Sequence, residues 1–95
     1  MDGKLGAPHT VEIPFVFDNT EVPALMTEHT PAERELAAKT SEAWLAFAKT
    51  GKPGQKGLPQ WPAYDPQSRA MMVLDTTCKM VNDQGSEERM FWQSL

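Results

Sequence analysis

The stretch "GAPHTVEIPFVF", Gly6 to Phe17, decides how the chain is read. It sets one imidazole, His9, between a proline and an apolar run. Val11, Ile13, Phe15 and Phe17 recur at a period of two, which taken locally suggests a strand. Pro14 has no backbone donor and limits that strand to a sheet edge, a strand end or a short turn. His9 is then either a polar residue in a turn or one member of a catalytic set whose other members lie elsewhere. The rest of the chain has to decide.

Its 95 residues allow one domain at most. A hydrophobic fraction of 40% argues against wholesale disorder. A formal charge of -4 gives no general attraction to phosphate. Lys49, Lys52 and Lys56 cluster without interleaved aromatics, the pattern of a solvated loop rather than a nucleic-acid surface. The single Cys78 cannot close an internal disulfide, has no companions for a metal site and leaves the redox compartment open. No run approaches the roughly 18 apolar residues of a membrane span. "MDGKLGAPH" lacks the basic start and apolar core of a signal peptide.

Further along, "DNTEVPALMTEHT" (18–30) reads as a loop with a short turn at Ala24 to Met26. A helix follows over 31–49. Thr30 can cap it, Pro31 suits its first position, and Glu33 completes a capping box. Leu36, Thr40, Ala43, Trp44, Phe47 and Ala48 fall at helical spacing, and Gly51 and Pro53 end the helix. "GKPGQKGLPQWPAYDPQS" holds four prolines and three glycines and is irregular, pinned to a surface by Leu58, Trp61 and Tyr64. "RAMMVLD" (69–75) and "TCKMVND" (77–83) read as a hairpin around Asp75-Thr76-Thr77. Asp83 or Ser86 can cap a last helix, with Glu87 and Glu88 at its positive end and Met90, Phe91 and Leu95 on its apolar side.

Such an inventory has no set of strands or helices able to close a core around three Trp and four Phe. Burying one large side chain is worth roughly 1.5–3 kcal/mol, so a partner surface is missing from the sequence.

Four blocks carry a resemblance: "GAPHTVEIPFVF", "AWLAFAKTGKP", "LPQWPAYDP" and "MMVLD…MVNDQ". In this order and spacing, from about Leu5 to about Arg89, the chain resembles the C-terminal end of the type-B carboxylesterases. That family of α/β-hydrolases includes para-nitrobenzyl esterases, animal carboxylesterases and cholinesterases. The resemblance implies an α/β fold class. The chain would be not a complete domain but a C-terminal fragment of an α/β-hydrolase fold spanning 1–95: His loop, long helix, Pro-rich coil, short β-hairpin and terminal helix. It also implies that residues 11–17 form a short helical turn instead of the strand suggested locally.

The same resemblance gives His9 the part of general base and acid in a Ser–Glu–His triad, with Gly6 and Glu12 supporting its loop. Thr10 departs from the family, which often has glycine or a small residue after the histidine. In α/β-hydrolases the triad runs Ser, acid, His along the chain, so a C-terminal segment holds only the histidine. No Gly-x-Ser-x-Gly occurs here, and the glycine-rich oxyanion-hole motif is absent too. Glu12 follows His9, whereas the family's triad acid precedes the histidine. No cofactor or metal is implied. The expected partners are a small ester substrate in the full-length enzyme and the missing N-terminal catalytic body, with no nucleic acid and no membrane span. Met1 is expected to be an internal methionine, and localisation is not legible. His29 is expected on the surface, Trp44 and Phe47 in packing, Trp61 and Tyr64 in packing of the coil, and Cys78 in an inert strand position. Two other readings stay open: a short subunit that completes a split esterase, and a non-catalytic interaction module.

Overall fold

A computed structural model of the chain describes residues 6–22 and 27–95. The turn expected at Ala24 to Met26 lies outside the described residues. Helix α1 spans Ile13–Val16 and follows directly on the His9 turn. Here the period-two pattern gives way to a helix. Pro14 sits in its first turn, where a missing N–H is no loss, and is itself buried.

Helix α2, Pro31–Thr50, is the longest element. Its start is the expected capping box. The Glu33 N–H donates to Thr30 Oγ1 at 3.2 Å, and the Thr30 N–H donates to the Glu33 carboxylate at 2.9 Å. The Glu28 N–H donates to the same carboxylate, so Glu33 also fastens the incoming loop. At the other end Gly51 turns left-handed with φ 78°, and its N–H donates to the Phe47 carbonyl at 2.7 Å. Only a residue without a Cβ adopts that conformation freely.

Strands β1 (Ala70–Val73) and β2 (Lys79–Asn82) pair antiparallel, with Met71 opposite Val81 and Met72 opposite Met80. Cys78 lies just outside β2, in the connecting loop, where its thiol donates to the Asp75 carbonyl. Met72 points to the core and Met71 to solvent, as strand alternation requires. Helix α3, Ser86–Gln93, closes the order. Neither Asp83 nor Ser86 caps it. Gly85 holds the cap position in a left-handed conformation, and the Asp83 carboxylate is engaged by Arg89 instead.

The core is small. Ala43 from α2, Leu58 from the proline-rich coil and Met72 from β1 form it, with Trp61, Leu74, Cys78 and Met80 packed around them. Leu58 and Trp61 therefore do pin the coil. Tyr64 does not: it is largely exposed and contributes through its hydroxyl, which accepts from Arg69. Trp44 and Phe47 pack only in part: both are more than half exposed on α2, and Trp44 shares a groove with Ile13 and Val16 of α1. Helical spacing puts them on one apolar face, which the described residues cover only in part.

The accessible surface is 7267 Å². A self-contained protein of 10.6 kDa has about 5,500 Å². The radius of gyration is 15.0 Å, against about 12.4 Å for a compact domain of this length. The excess of about 1,800 Å² is roughly twice what one partner contributes to a standard protein–protein interface.

Candidate active site

Two left-handed residues frame His9. Gly6 has φ 59°, and a Cβ there would meet nothing within 4 Å, so conformation and not space calls for glycine. Thr10 has φ 72°, a region that β-branched residues avoid. Around Thr10 the Val11 N–H donates to the Pro8 carbonyl at 3.3 Å, and the Ile13 N–H donates to the Thr10 carbonyl at 3.2 Å. These two bonds carry the chain from the imidazole straight into α1. His9 is exposed at the head of this turn, and its ring has no polar partner among the described residues.

Glu12 supports the turn through its backbone. Its carbonyl accepts from the Phe15 and Val16 N–H groups at 3.0 and 2.9 Å. No hydrogen bond or ion pair joins its carboxylate to His9 among the described residues. Glu12 instead lines a groove of about 480 Å³ between α1 and α2, whose apolar walls are Ile13, Val16, Phe17, Trp44 and Leu45, with Ser41 alongside. Phe17 is 71% exposed and Trp44 58%. The imidazole thus stands four residues ahead of an uncovered apolar helix pair.

His29 is exposed on the loop before α2, where its carbonyl accepts from Arg34. Among the described residues, no group of three His, Cys, Asp or Glu side chains could hold a metal ion. None of the described helices is long and apolar enough to cross a membrane.

Two features escaped sequence reasoning. One is the left-handed Thr10, for which the usual signal, a glycine, is absent. The other is a cluster of Arg69, Asp83 and Arg89 beside the hairpin, signalled only by opposite charges flanking Gln84-Gly85.

Residues 2–92 match the family model described as "Carboxylesterase family". The chain belongs to the carboxylesterase family. This esterase segment is 37% identical over 83 residues to the para-nitrobenzyl esterase of Bacillus subtilis, covering 85% of this chain and 17% of that protein. It is 32% identical over 90 residues to the phenmedipham hydrolase of Pseudarthrobacter oxydans, covering 90% of this chain and 17% of that one. The crystal structure of the Geobacillus stearothermophilus carboxylesterase superposes with a TM-score of 0.79 at 36% identity, over 92% of this chain and 19% of that chain. The segment therefore spans less than a fifth of the length of these relatives and has the fold of part of an α/β-hydrolase. That small share accounts for the thin core and the surplus surface.

Proposed function

We propose that this esterase segment is the C-terminal part of a serine carboxylic-ester hydrolase and that His9 is its triad base. In this reading the His9 imidazole removes the proton from a serine hydroxyl as that oxygen attacks the ester carbonyl. The same imidazole then returns the proton to the departing alcohol. Histidine is the side chain whose chemistry suits taking up and giving back a proton near neutral pH. The serine, the glutamate that orients the imidazole, and the oxyanion-hole donors come from the remaining esterase body. Gly6 and the Glu12 carbonyl hold the turn.

The observation that carries the reading is the placement of His9. It is exposed at the head of a hydrogen-bonded turn that leads into the uncovered α1–α2 groove. A base that must meet a serine on another part of the protein belongs at such an edge, with an apolar face beside it to anchor the contact. Alone, the chain has no Gly-x-Ser-x-Gly sequence and no glycine-rich oxyanion-hole motif, and loss of one oxyanion donor typically costs 10²–10³ in rate. The isolated chain is therefore expected to cleave para-nitrophenyl esters no faster than free imidazole. Adding it to a para-nitrobenzyl esterase that lacks the matching segment is expected to restore saturable hydrolysis. Saturable turnover by the isolated chain that disappears in His9→Ala would overturn the division of labour.

A further inference from the structure

Helix α3 has eight residues, buries none of them and, among the described residues, packs against no other helix or strand. An isolated helix shorter than about 12–15 residues is marginal in water, so α3 needs a tether to persist. The described residues provide one. Arg89, in the middle of α3, grips Asp83 with two parallel hydrogen bonds, Nε to Oδ1 at 2.9 Å and Nη2 to Oδ2 at 2.7 Å. This is the paired geometry in which guanidinium and carboxylate bind most specifically. The remaining Arg89 nitrogen, Nη1, donates to Gln93 Oε1 one turn on, at 2.7 Å. One side chain thus ties both the end of the hairpin and the last turn of the helix.

The receiving side is built to hold that carboxylate still. Asp83 follows β2 directly, and its N–H donates to the Arg69 carbonyl at 3.0 Å. Arg69 precedes β1, so this bond extends the hairpin ladder by one residue. Both residues are left-handed, with φ 49° each, a conformation that persists where surrounding contacts enforce it. Arg69 Nε lies 3.8 Å from Asp83 Oδ1, and Arg69 Nη1 donates to the Tyr64 hydroxyl. The Arg89 hydrogen bonds and the two guanidinium charges hold the Asp83 carboxyl below its ordinary range. Between carboxylate and helix stands Gly85, left-handed with φ 74°.

We propose that Asp83 and Arg89 form a latch that fixes α3 to the β1–β2 hairpin across the Gly85 corner, and that α3 is released from the fold when the latch is broken. With the latch closed, the edge-to-face pair of Phe91 and Trp92, 5.3 Å between ring centres, is presented on an ordered arm. With it open, residues 86–94 become an unstructured tail while the hairpin and α2 stay folded.

Hydrogen exchange read by mass spectrometry on the full 95-residue chain tests this with Asp83→Asn and Arg89→Gln. Asn tolerates the left-handed conformation of position 83, so the first variant removes the charge without straining the backbone. In the parent, peptides covering 86–94 are expected to show protection. In each variant that protection falls to the level of an unstructured peptide, while peptides from 31–50, 70–73 and 79–82 keep theirs. The double variant is expected to do no more than either single one. Protection of 86–94 unchanged in both variants, or already missing in the parent, would overturn the latch. So would a variant in which every region loses protection together, because the pair would then support the whole fold.

Discussion

Thr10→Gly tests the reading of the His9 turn at its most unusual residue. An L-residue in the left-handed region pays roughly 1–2 kcal/mol, because its Cβ crowds the backbone. Thr10 sits there with φ 72°, and no hydrogen bond from its hydroxyl to another described residue offsets the strain. Glycine removes the crowding but makes the unfolded chain more flexible, which returns about 0.4–1 kcal/mol. The net expectation is a gain of about 0.5–1 kcal/mol. Thermal unfolding followed by circular dichroism should show it as a rise of roughly 2–8 °C for a domain of this size. The turn can also be read locally. The Val11 and Ile13 N–H groups close it, so their exchange should slow by roughly two- to fivefold, the same free energy expressed as a ratio. Thr10→Ala keeps the Cβ and is expected to give little of either effect. A melting temperature lowered in Thr10→Gly, or raised as much in Thr10→Ala, would refute the strain argument.

Four other outcomes follow from the same structure. Thr30→Ala removes the acceptor for the Glu33 N–H and should cost about 1 kcal/mol in unfolding free energy by urea titration. Thr40→Val should raise stability by about 1 kcal/mol in the same titration, since the buried Thr40 hydroxyl has no partner among the described residues. Trp44→Gln should cost the chain's own unfolding up to about 2 kcal/mol, the worth of the part of the side chain already covered, and weaken its association with an esterase body on the order of a hundredfold. The exposed 58% of a side chain of about 200 Å² is worth about 3 kcal/mol when buried. Asp65 and Asp83 are both held below the ordinary carboxylate value of 3.8, Asp65 by the Ser68 hydroxyl and backbone N–H groups and Asp83 by Arg89 and Arg69. Their folded forms bind protons less readily than the unfolded chain. The stability they add is therefore full above about pH 4 and is lost as pH falls through the depressed values. An acid titration should show exchange rising in 65–68 and 86–94 before it rises in α2.

Local rules made much of the fold legible. Thr30, Pro31, Glu33 and Gly51 mark both ends of α2, because capping is a matter of a few adjacent atoms. The hairpin followed from two short apolar runs, although Cys78 proved to belong to its loop. Residues 11–17 show where local reading stops: alternation argued for a strand, whereas Pro14 and the preceding turn favour a helix. Trp44 and Phe47 show a second limit. Spacing identifies an apolar face, but only a partner surface turns that face into a core. Of the candidate site, His9 stands out within one motif, and the family resemblance adds Gly6 and Glu12. The Thr10 conformation and the Asp83–Arg89 pair depend on backbone angles and on contacts across a corner, which no periodicity encodes.

The most direct test of the account is the rate of ester hydrolysis when this chain is paired with a para-nitrobenzyl esterase body lacking the matching segment, measured for the parent and for His9→Ala. Association of the two pieces is followed separately, so that binding and chemistry are not confused. The account predicts that both forms bind the body alike and that His9→Ala lowers kcat by roughly four to six orders of magnitude, the scale on which triad members act. Equal turnover with the two forms would contradict it, and His9 would then be a polar residue in a turn.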